Sequence, residues 1–470
     1  MDICFVQRQK FALPGVASMA AAAIKAGYGA DILIENAEPA FEKKLAEIAP
    51  GVVGVTLTSS DVAWLNDVLP RIRRTCPGSF IIAGGIHPTI HPALLEEYPV
   101  LDAICRGEGE EAMVELLEAR EENRPPTGIG NLVVRFRGEV YRNPLRPLIV
   151  DLDAFPEDRG VYFRRYPDLA SDSLLQYITS RGCPYPCSFC VNHELNRIFR
   201  GLGPVQRRKS VDFALRELQE LRRQYRRAET VFFIDDLFLQ DREWIKRFLP
   251  RYRREIGLPF ICSAGPRTID GEIADLLASS GCASVEFGIE TGNESKRREL
   301  FNKKAFTDAE FRRQIGLVKE RGIEVYAPSM FCFPTETPAD SFRTVEFYHE
   351  LGVDHPFSSF LFPYPHTRIH EIAIREGCIA PDLQAEDLPS NYFTKSICRI
   401  PRRRVIENIQ YLFYFFAKHP RFYRYFKWLV YLPVPLKPFR YLGLFFWFKN
   451  WKRMGYMETI RYFWRFRKAA

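Results

Sequence analysis

The chain has 470 residues, more than one ordinary domain needs, and its 46% hydrophobic and 26% charged content excludes wholesale disorder and fibrous repeats. Eleven cysteines are too sparse for a disulfide-stapled secreted scaffold. The net charge of +8 is uneven: residues 401–470 hold 16 Lys and Arg against Glu407 and Glu458, a net +14, and 23 of the 65 aromatics, leaving −6 for the first 400 residues.

The opening MDICFVQRQK reads as a short buried strand rather than a secretory leader, and no run approaches the ~20 apolar residues of a spanning helix. The cytoplasm is therefore expected, where thiols stay reduced. Residues 1–125 alternate short apolar runs (ICFV, ADILI, VVGVTL, FIIAGG, DAIC) with amphipathic stretches near 16–26, 62–73 and 110–119. That alternation predicts a doubly wound, Rossmann-like parallel sheet with helices on both faces. Its turns hold Pro14-Gly15, Thr58-Ser59-Ser60, Gly84-Gly85 and Gly107-Glu108-Gly109, and ligands bind at the carboxyl ends of such strands.

Residues 126–170 read as a connector, with a hairpin at Arg137-Gly138 and the acidic stretch DLDAFPEDRG. Residues 171–380 begin a second series, with strands YITS, TVFFID, FICSAG, SVEFGIE, IEVYAPSMFCF and PFSSFLF. Six β–α units fit a partial (β/α)6 barrel of the TIM type, with chemistry at the strand carboxyl ends. Residues 381–470 form a basic, aromatic and helical C-terminal region.

The sharpest motif is Arg181-Gly182-Cys183-Pro184-Tyr185-Pro186-Cys187-Ser188-Phe189-Cys190. Its glycine and prolines make a loop after a strand, so the thiolates of Cys183, Cys187 and Cys190 can converge. Thiolates select zinc, copper(I) or iron–sulfur clusters. A closed zinc site wants a fourth ligand, for which His193 is the nearby candidate. Three cysteines on a four-iron cluster leave one iron open. The other eight cysteines read as buried small hydrophobes.

The spacing Cys-x3-Cys-x2-Cys, with Phe189 before the last cysteine, resembles the radical S-adenosylmethionine (SAM) enzymes. FIDDLF (233–238), VEFGIETGNE (285–294) and FPTET (333–337) are similar to later segments of that superfamily, although Phe333 and Thr335 depart from its small-residue pattern. AGGIHPTIHP (83–92) followed by VLDAICRGEGEEA (100–112) is similar to the cobalamin-binding domain of the cobalamin-dependent subfamily.

That resemblance implies three cofactors: a 4Fe-4S cluster on Cys183, Cys187 and Cys190, SAM on its open iron, and cobalamin on the first domain. Reductive cleavage of SAM would give a deoxyadenosyl radical in a dry barrel. It implies SAM contacts from Phe189, Asp235, Asp236, Ser263, Arg267 and Glu290. Cobalamin contacts are expected from Thr58, Ser59, Ser60, Gly84, Gly85, His87, Gly107, Glu108 and Gly109. The Asp-x-His-x-x-Gly signature of histidine-ligated cobalamin is absent, so the lower cobalt face falls to residues after the third strand, among them Ser60, Asp61 and Trp64.

The leading expectation is a C-methyltransferase acting on an unactivated carbon of a small or lipid-like substrate, served by an electron donor such as flavodoxin or ferredoxin. The alternatives are a radical cyclase or oxidoreductase on a lipid-like or tetrapyrrole-like substrate, and a non-catalytic cobalamin or cluster sensor. The tail from 401 to 470 mixes aromatic and basic residues, as a peripheral anchor at the inner face of an anionic membrane would. The competing expectation is that its rings complete the barrel core with their charges outward. Nucleic acid is not expected as a partner.

Overall fold

The structure is a computed structural model that describes residues 1–389, 392–393, 395–451, 455–457 and 459–460. The first domain is built on a seven-stranded sheet. Its strands are β1 (Ile3–Gln7), β2 (Ala30–Ile34), β3 (Val52–Thr56), β4 (Phe80–Gly84), β5 (Ala103–Cys105), β6 (Leu132–Phe136) and β7 (Glu139–Arg142), in the order β2-β1-β3-β4-β5-β6-β7. The first five are parallel, as the apolar runs predict, and all five residues of β1 are buried. One core forms on each face, for example Phe5, Ile32 and Leu116 against one side and Val55, Leu65 and Ile81 against the other.

The hairpin at Arg137-Gly138 forms, and it extends this sheet: β6 runs antiparallel to β5, and β7 to β6. The stretch after it is packed, not slack. Glu157 and Arg159 are buried and paired, and Glu157 also meets Lys209, which pairs with Glu217. Tyr162 reaches back to donate its hydroxyl to Gln7 in β1.

The second domain is a six-stranded parallel half-barrel. Its strands are β8 (Leu174–Tyr177), β11 (Thr230–Phe233), β12 (Phe260–Ala264), β13 (Cys282–Phe287), β14 (Glu324–Phe331) and β15 (His355–Phe360), in sequence order across the sheet. A two-stranded ribbon of β9 (Ser180–Arg181) and β10 (Arg207–Arg208) flanks the cysteine loop. The helices between strands start on side-chain caps. Ser210, Asp241, Asp270 and Thr337 accept the third amide of Val211–Gln224, Arg242–Glu255, Gly271–Ser280 and Pro338–Leu351 respectively. In β14 the odd-numbered Val325, Ala327 and Phe331 bury against those helices, so Tyr326 and Met330 point to the inner face.

The C-terminal region packs onto the half-barrel. In the helix Arg403–Lys418, Ile406, Ile409, Leu412, Phe413 and Phe416 belong to the barrel core. Arg440, in the helix Lys437–Trp451, is buried and bonds Ser358 and the Phe393 carbonyl. The expectation that rings complete the core therefore holds for these two helices. Between these helices Val430 is buried in the core, while Tyr425, Trp428 and Tyr431 turn outward, 66%, 56% and 58% exposed. No described helix is long and apolar enough to cross a membrane.

Candidate functional site

The cysteine loop sits at the carboxyl end of β8. It is held at Ser188 by backbone on both sides: the Ser188 amide donates to the Phe301 carbonyl (3.0 Å) and the Ile369 amide to the Ser188 carbonyl (2.8 Å). Phe189 packs edge-on against Phe301 (5.4 Å, 80°), which packs in turn against Phe333 (5.1 Å). The large residue at 333 thus has a use, because it backs the ring that closes the loop.

Cys187 is buried, while Cys183 and Cys190 are partly open. Burial pushes the Cys183 and Cys190 thiols up, to about 12 and 11, and the neighbouring thiols add to it. Crowded thiols of this kind ionise readily only when a cation shares their space. His193 is not free to join them. Its Nδ1 donates to the Cys190 carbonyl, and its Nε2 accepts the Arg368 amide (3.2 Å). The donor set near the loop is therefore three thiols, which fits a cluster with an open iron and not a four-ligand zinc site. The remaining eight cysteines are buried and unbridged, as expected.

The adjacent carboxylates part ways. Asp235 accepts from the Thr179 amide and from the hydroxyls of Thr179 and Ser180, so it braces the strand that leads into the loop. It was expected to face SAM, and its oxygens are already taken. Asp236 points toward the site. It bonds Asn192, burial pushes its carboxyl up, and its charge is felt by Cys183 and Cys190. The Ser263 hydroxyl donates to the Asp235 carbonyl (2.9 Å) and accepts the Phe238 amide (3.2 Å). Glu290, at φ +64°, pairs with Lys303 (2.9 Å), and this pair lies next to Cys187. Arg267 is exposed near Tyr185, with its own amide on Glu310, so the structure leaves it at the rim.

In the first domain the expected loops gather at the strand carboxyl ends, but several of their polar groups bond one another. Thr58 caps a short turn with Asp61 and touches Ser60 (3.0 Å). Ser59 bonds His87 Nδ1 (3.1 Å), and burial lowers the His87 pKa to about 3, so this histidine is neutral. A Cβ at Gly84 would meet nothing closer than Cys105 at 3.9 Å, and one at Gly109 would lie 3.0 Å from the Met19 sulfur. Trp64 belongs to the core, its indole N–H on Glu35.

Gly85 and Gly107 are needed for conformation. At Gly85 (φ +109°) a Cβ would lie 2.6 Å from the Leu57 carbonyl oxygen, and at Gly107 (φ +79°) 2.6 Å from the Phe199 ring. Gly85 thus lets the β3 and β4 loops meet, a demand made by the protein before any ligand. Thr89, absent from the sequence reading, ties both glycines: its hydroxyl donates to the Gly85 carbonyl (2.7 Å) and accepts the Gly107 amide (2.9 Å).

Glu108 is turned away from the role expected of it. Its carboxylate takes Arg181 (2.8 Å), Arg207 (2.8 Å) and the Ile149 amide (2.7 Å), while Arg181 also reaches Glu110 (2.7 Å). Burial alone would raise its pKa, but the two guanidinium groups overcome that and hold it low. Arg181 lies two residues before Cys183, so this network fastens the two domains at the cysteine loop. Nothing local in the sequence signals pairs this far apart.

Between the domains lies a cleft of about 720 Å³, lined from one side by Gly85, Thr89 and Gly107 and from the other by Pro184, Asn192 and Phe199. Glycine-rich strand ends of one sheet thus face the three-thiol loop at the strand ends of another, which puts two candidate binding sites on one cleft of an α/β protein. The sequence agrees: it matches the Radical SAM superfamily over residues 177–355 and the B12 binding domain over residues 10–117. The chain belongs to the cobalamin-dependent radical SAM enzymes. It is 29% identical over 347 residues to the uncharacterized methyltransferase PH0819 of Pyrococcus horikoshii, covering 72% of each chain. It is 25% identical over 366 residues to the anaerobic magnesium-protoporphyrin IX monomethyl ester cyclase of Rubrivivax gelatinosus, covering 74% of this chain and 64% of that one. It shares its fold with the radical SAM methyltransferase TsrM from Kitasatospora setae, solved with cobalamin and a 4Fe-4S cluster bound (TM-score 0.66, 22% identity, 82% and 80% coverage).

Proposed function

We propose that the protein is a C-methyltransferase acting on an unactivated carbon of a small or lipid-like molecule. The observation that carries this reading is the shared cleft, because methyl transfer to a carbon radical needs a radical source and a methyl carrier on either side of one space. When bound, the cluster supplies the electron that cleaves SAM, and cobalamin supplies the methyl group. Cys183, Cys187 and Cys190 would hold the cluster. Asp236 would accept the SAM ammonium, and Glu290, steadied by Lys303, would accept a further donor of the same molecule. Gly85, Thr89 and Gly107 would give cobalamin a surface with little side chain. An electron donor of the flavodoxin or ferredoxin class would reduce the cluster.

The test is anaerobically reconstituted full-length protein with reduced donor and methyl-labelled SAM, incubated with an extract of cells carrying a Cys187→Ala copy. Deoxyadenosine together with a labelled metabolite heavier by one CH2 is the expected result. Deoxyadenosine with an unlabelled, oxidised or ring-closed product would favour the cyclase alternative, which the similarity to the Rubrivivax cyclase recommends. No SAM cleavage at all would leave only the sensor.

A peripheral membrane contact belongs to the same reading. The outward run offers Tyr425, Phe426, Trp428 and Tyr431 beside exposed Arg421, Arg424 and Lys427. Such rings favour the headgroup boundary and such charges favour anionic lipid at ~1 kcal/mol each. The full chain should pellet with phosphatidylserine vesicles at low salt, and a Tyr425→Ser, Trp428→Ser, Tyr431→Ser variant should stay in solution. Equal pelleting of the two would refute the contact.

A further inference from the structure

Inside the half-barrel one acidic side chain is unused. Val285 and Phe287 of β13 face the helices, so Glu286 between them points to the inner face of the sheet. Its register neighbours are Ser263 on β12 and Tyr326 on β14. Among the described residues nothing donates to its carboxylate: the nearest cation, Lys303, is engaged by Glu290 and the Gly288 carbonyl. A half-buried carboxyl without a partner is costly, and its partial burial, reinforced by Glu290, pushes its pKa up to about 7.

Beside it lies an aromatic wall contributed by the chain's C-terminal part. Trp447 and Trp451 stack on each other (4.8 Å, 18°). Trp447 meets Phe357 (4.7 Å), Trp451 meets Phe232 (6.0 Å), and both meet Tyr326 (5.8 and 5.9 Å). The helix Lys437–Trp451 therefore bridges from β15 toward β11, across the open side of the half-barrel. Among the described residues neither buried indole N–H group has an acceptor. Native proteins rarely leave such donors unmet.

We propose that this inner face of the half-barrel receives the substrate, and that the substrate is an organic amine bearing a flat ring, its ammonium on the partly open Glu286 and its ring against Tyr326, Trp447 and Trp451. The inference rests on the methyltransferase reading above and adds the substrate's chemical class. A cation restores to Glu286 the partner the protein withholds, and ring faces attract both the flat ring and the charge beside it. A neutral analogue of the same shape would leave the carboxylate unpaired.

The test uses tryptamine and its uncharged counterpart tryptophol as probes, titrated calorimetrically at pH 8 into cluster-loaded full-length protein. Tryptamine should bind more than about tenfold tighter than tryptophol, the discrimination a charged hydrogen bond gives. Glu286→Gln should erase that preference, and Glu286→Asp, which keeps the charge, should retain it. Iron content is read in parallel. Protein that loads no iron would overturn the parent reading. Protein that loads iron but binds both probes alike, or a preference that survives in Glu286→Gln, would overturn this inference and leave the parent standing.

Discussion

Replacing Glu108 by Gln tests whether the ion network at the domain junction sets the closed arrangement. Glu108 is 15% exposed and Arg207 6%, so their pairing is shielded from solvent, whereas Arg181 is 26% exposed and keeps Glu110. Removing one partner of a buried pair costs about 3–5 kcal/mol, because the charge left behind is neither solvated nor matched. Since Arg181 retains a partner, the low end applies, about 3 kcal/mol, or roughly 150-fold in the balance between docked and undocked domains. Arg207 would keep the Ile149 carbonyl and a neutral amide oxygen in place of the carboxylate, and among the described residues its Nε has no acceptor. Two measurements read this: the midpoint of the first urea transition, and the rate of proteolytic cleavage between residues 143 and 160. Glu111→Gln is the control, since Glu111 is 50% exposed on Arg146 and a surface pair contributes less than about 1 kcal/mol. A Glu108→Gln protein within about 0.5 kcal/mol of the parent, cleaved no faster, would refute the argument.

Three further outcomes follow from the geometry. Anaerobically reconstituted protein should carry about four irons and lose them in the Cys183, Cys187 and Cys190 triple alanine variant, while His193→Gln should keep them; iron loss in His193→Gln would make that residue a ligand after all. Gly85→Ala should lower stability by more than about 2 kcal/mol with or without cobalamin, because the new Cβ meets the Leu57 carbonyl at 2.6 Å; a loss seen only in cobalamin retention would mean the glycine serves the ligand. His87 has its pKa lowered by burial from 6.5 to about 3, so unfolded chains bind a proton that folded ones refuse. Stability should therefore fall as pH drops below 6.5, by about 2 kcal/mol at pH 5 from this residue, and His87→Gln should flatten that slope in urea titrations.

The regular elements were legible because their signals are local. Alternating apolar runs located β1 to β5 and five of the six barrel strands, and the cysteine spacing located the loop; the first barrel strand, expected at YITS, lies earlier at Leu174–Tyr177, because LLQY rather than the polar Thr179-Ser180 pairs with β11. What was not legible depends on partners distant in sequence. Asp235 and Asp236 look alike on paper; which one braces Thr179 and which faces the thiols depends on where β8 runs. Glu108 reads as a loop carboxylate until β10 brings Arg207 beside it. Gly85 reads as a ligand cradle until the Leu57 carbonyl is placed next to it. The basic, aromatic composition of the tail suited a membrane and a core equally. The fold divides it: Phe413 and Trp447 turn inward, and Trp428 stays exposed.

The half-barrel is an open sheet, and β15 is one of its two edges. An uncovered edge strand offers free carbonyls and amides to any other chain, which is how sheets recruit one another into aggregates. Here the following segments occupy it. The Phe360 amide donates to the Tyr392 carbonyl (2.8 Å), and the Ser358 carbonyl takes Arg440 (2.5 Å) and Gln410 (3.5 Å). The C-terminal region is thus a guard for the strand as well as a wall for the inner face. Cutting the chain near residue 400 to obtain a smaller catalytic unit would strip that guard and bare the apolar side of the core. The expected product is an insoluble protein, and solubility engineering of this chain has to begin with the exposed Tyr425, Trp428 and Tyr431 and leave Val430 and the helices on either side in place.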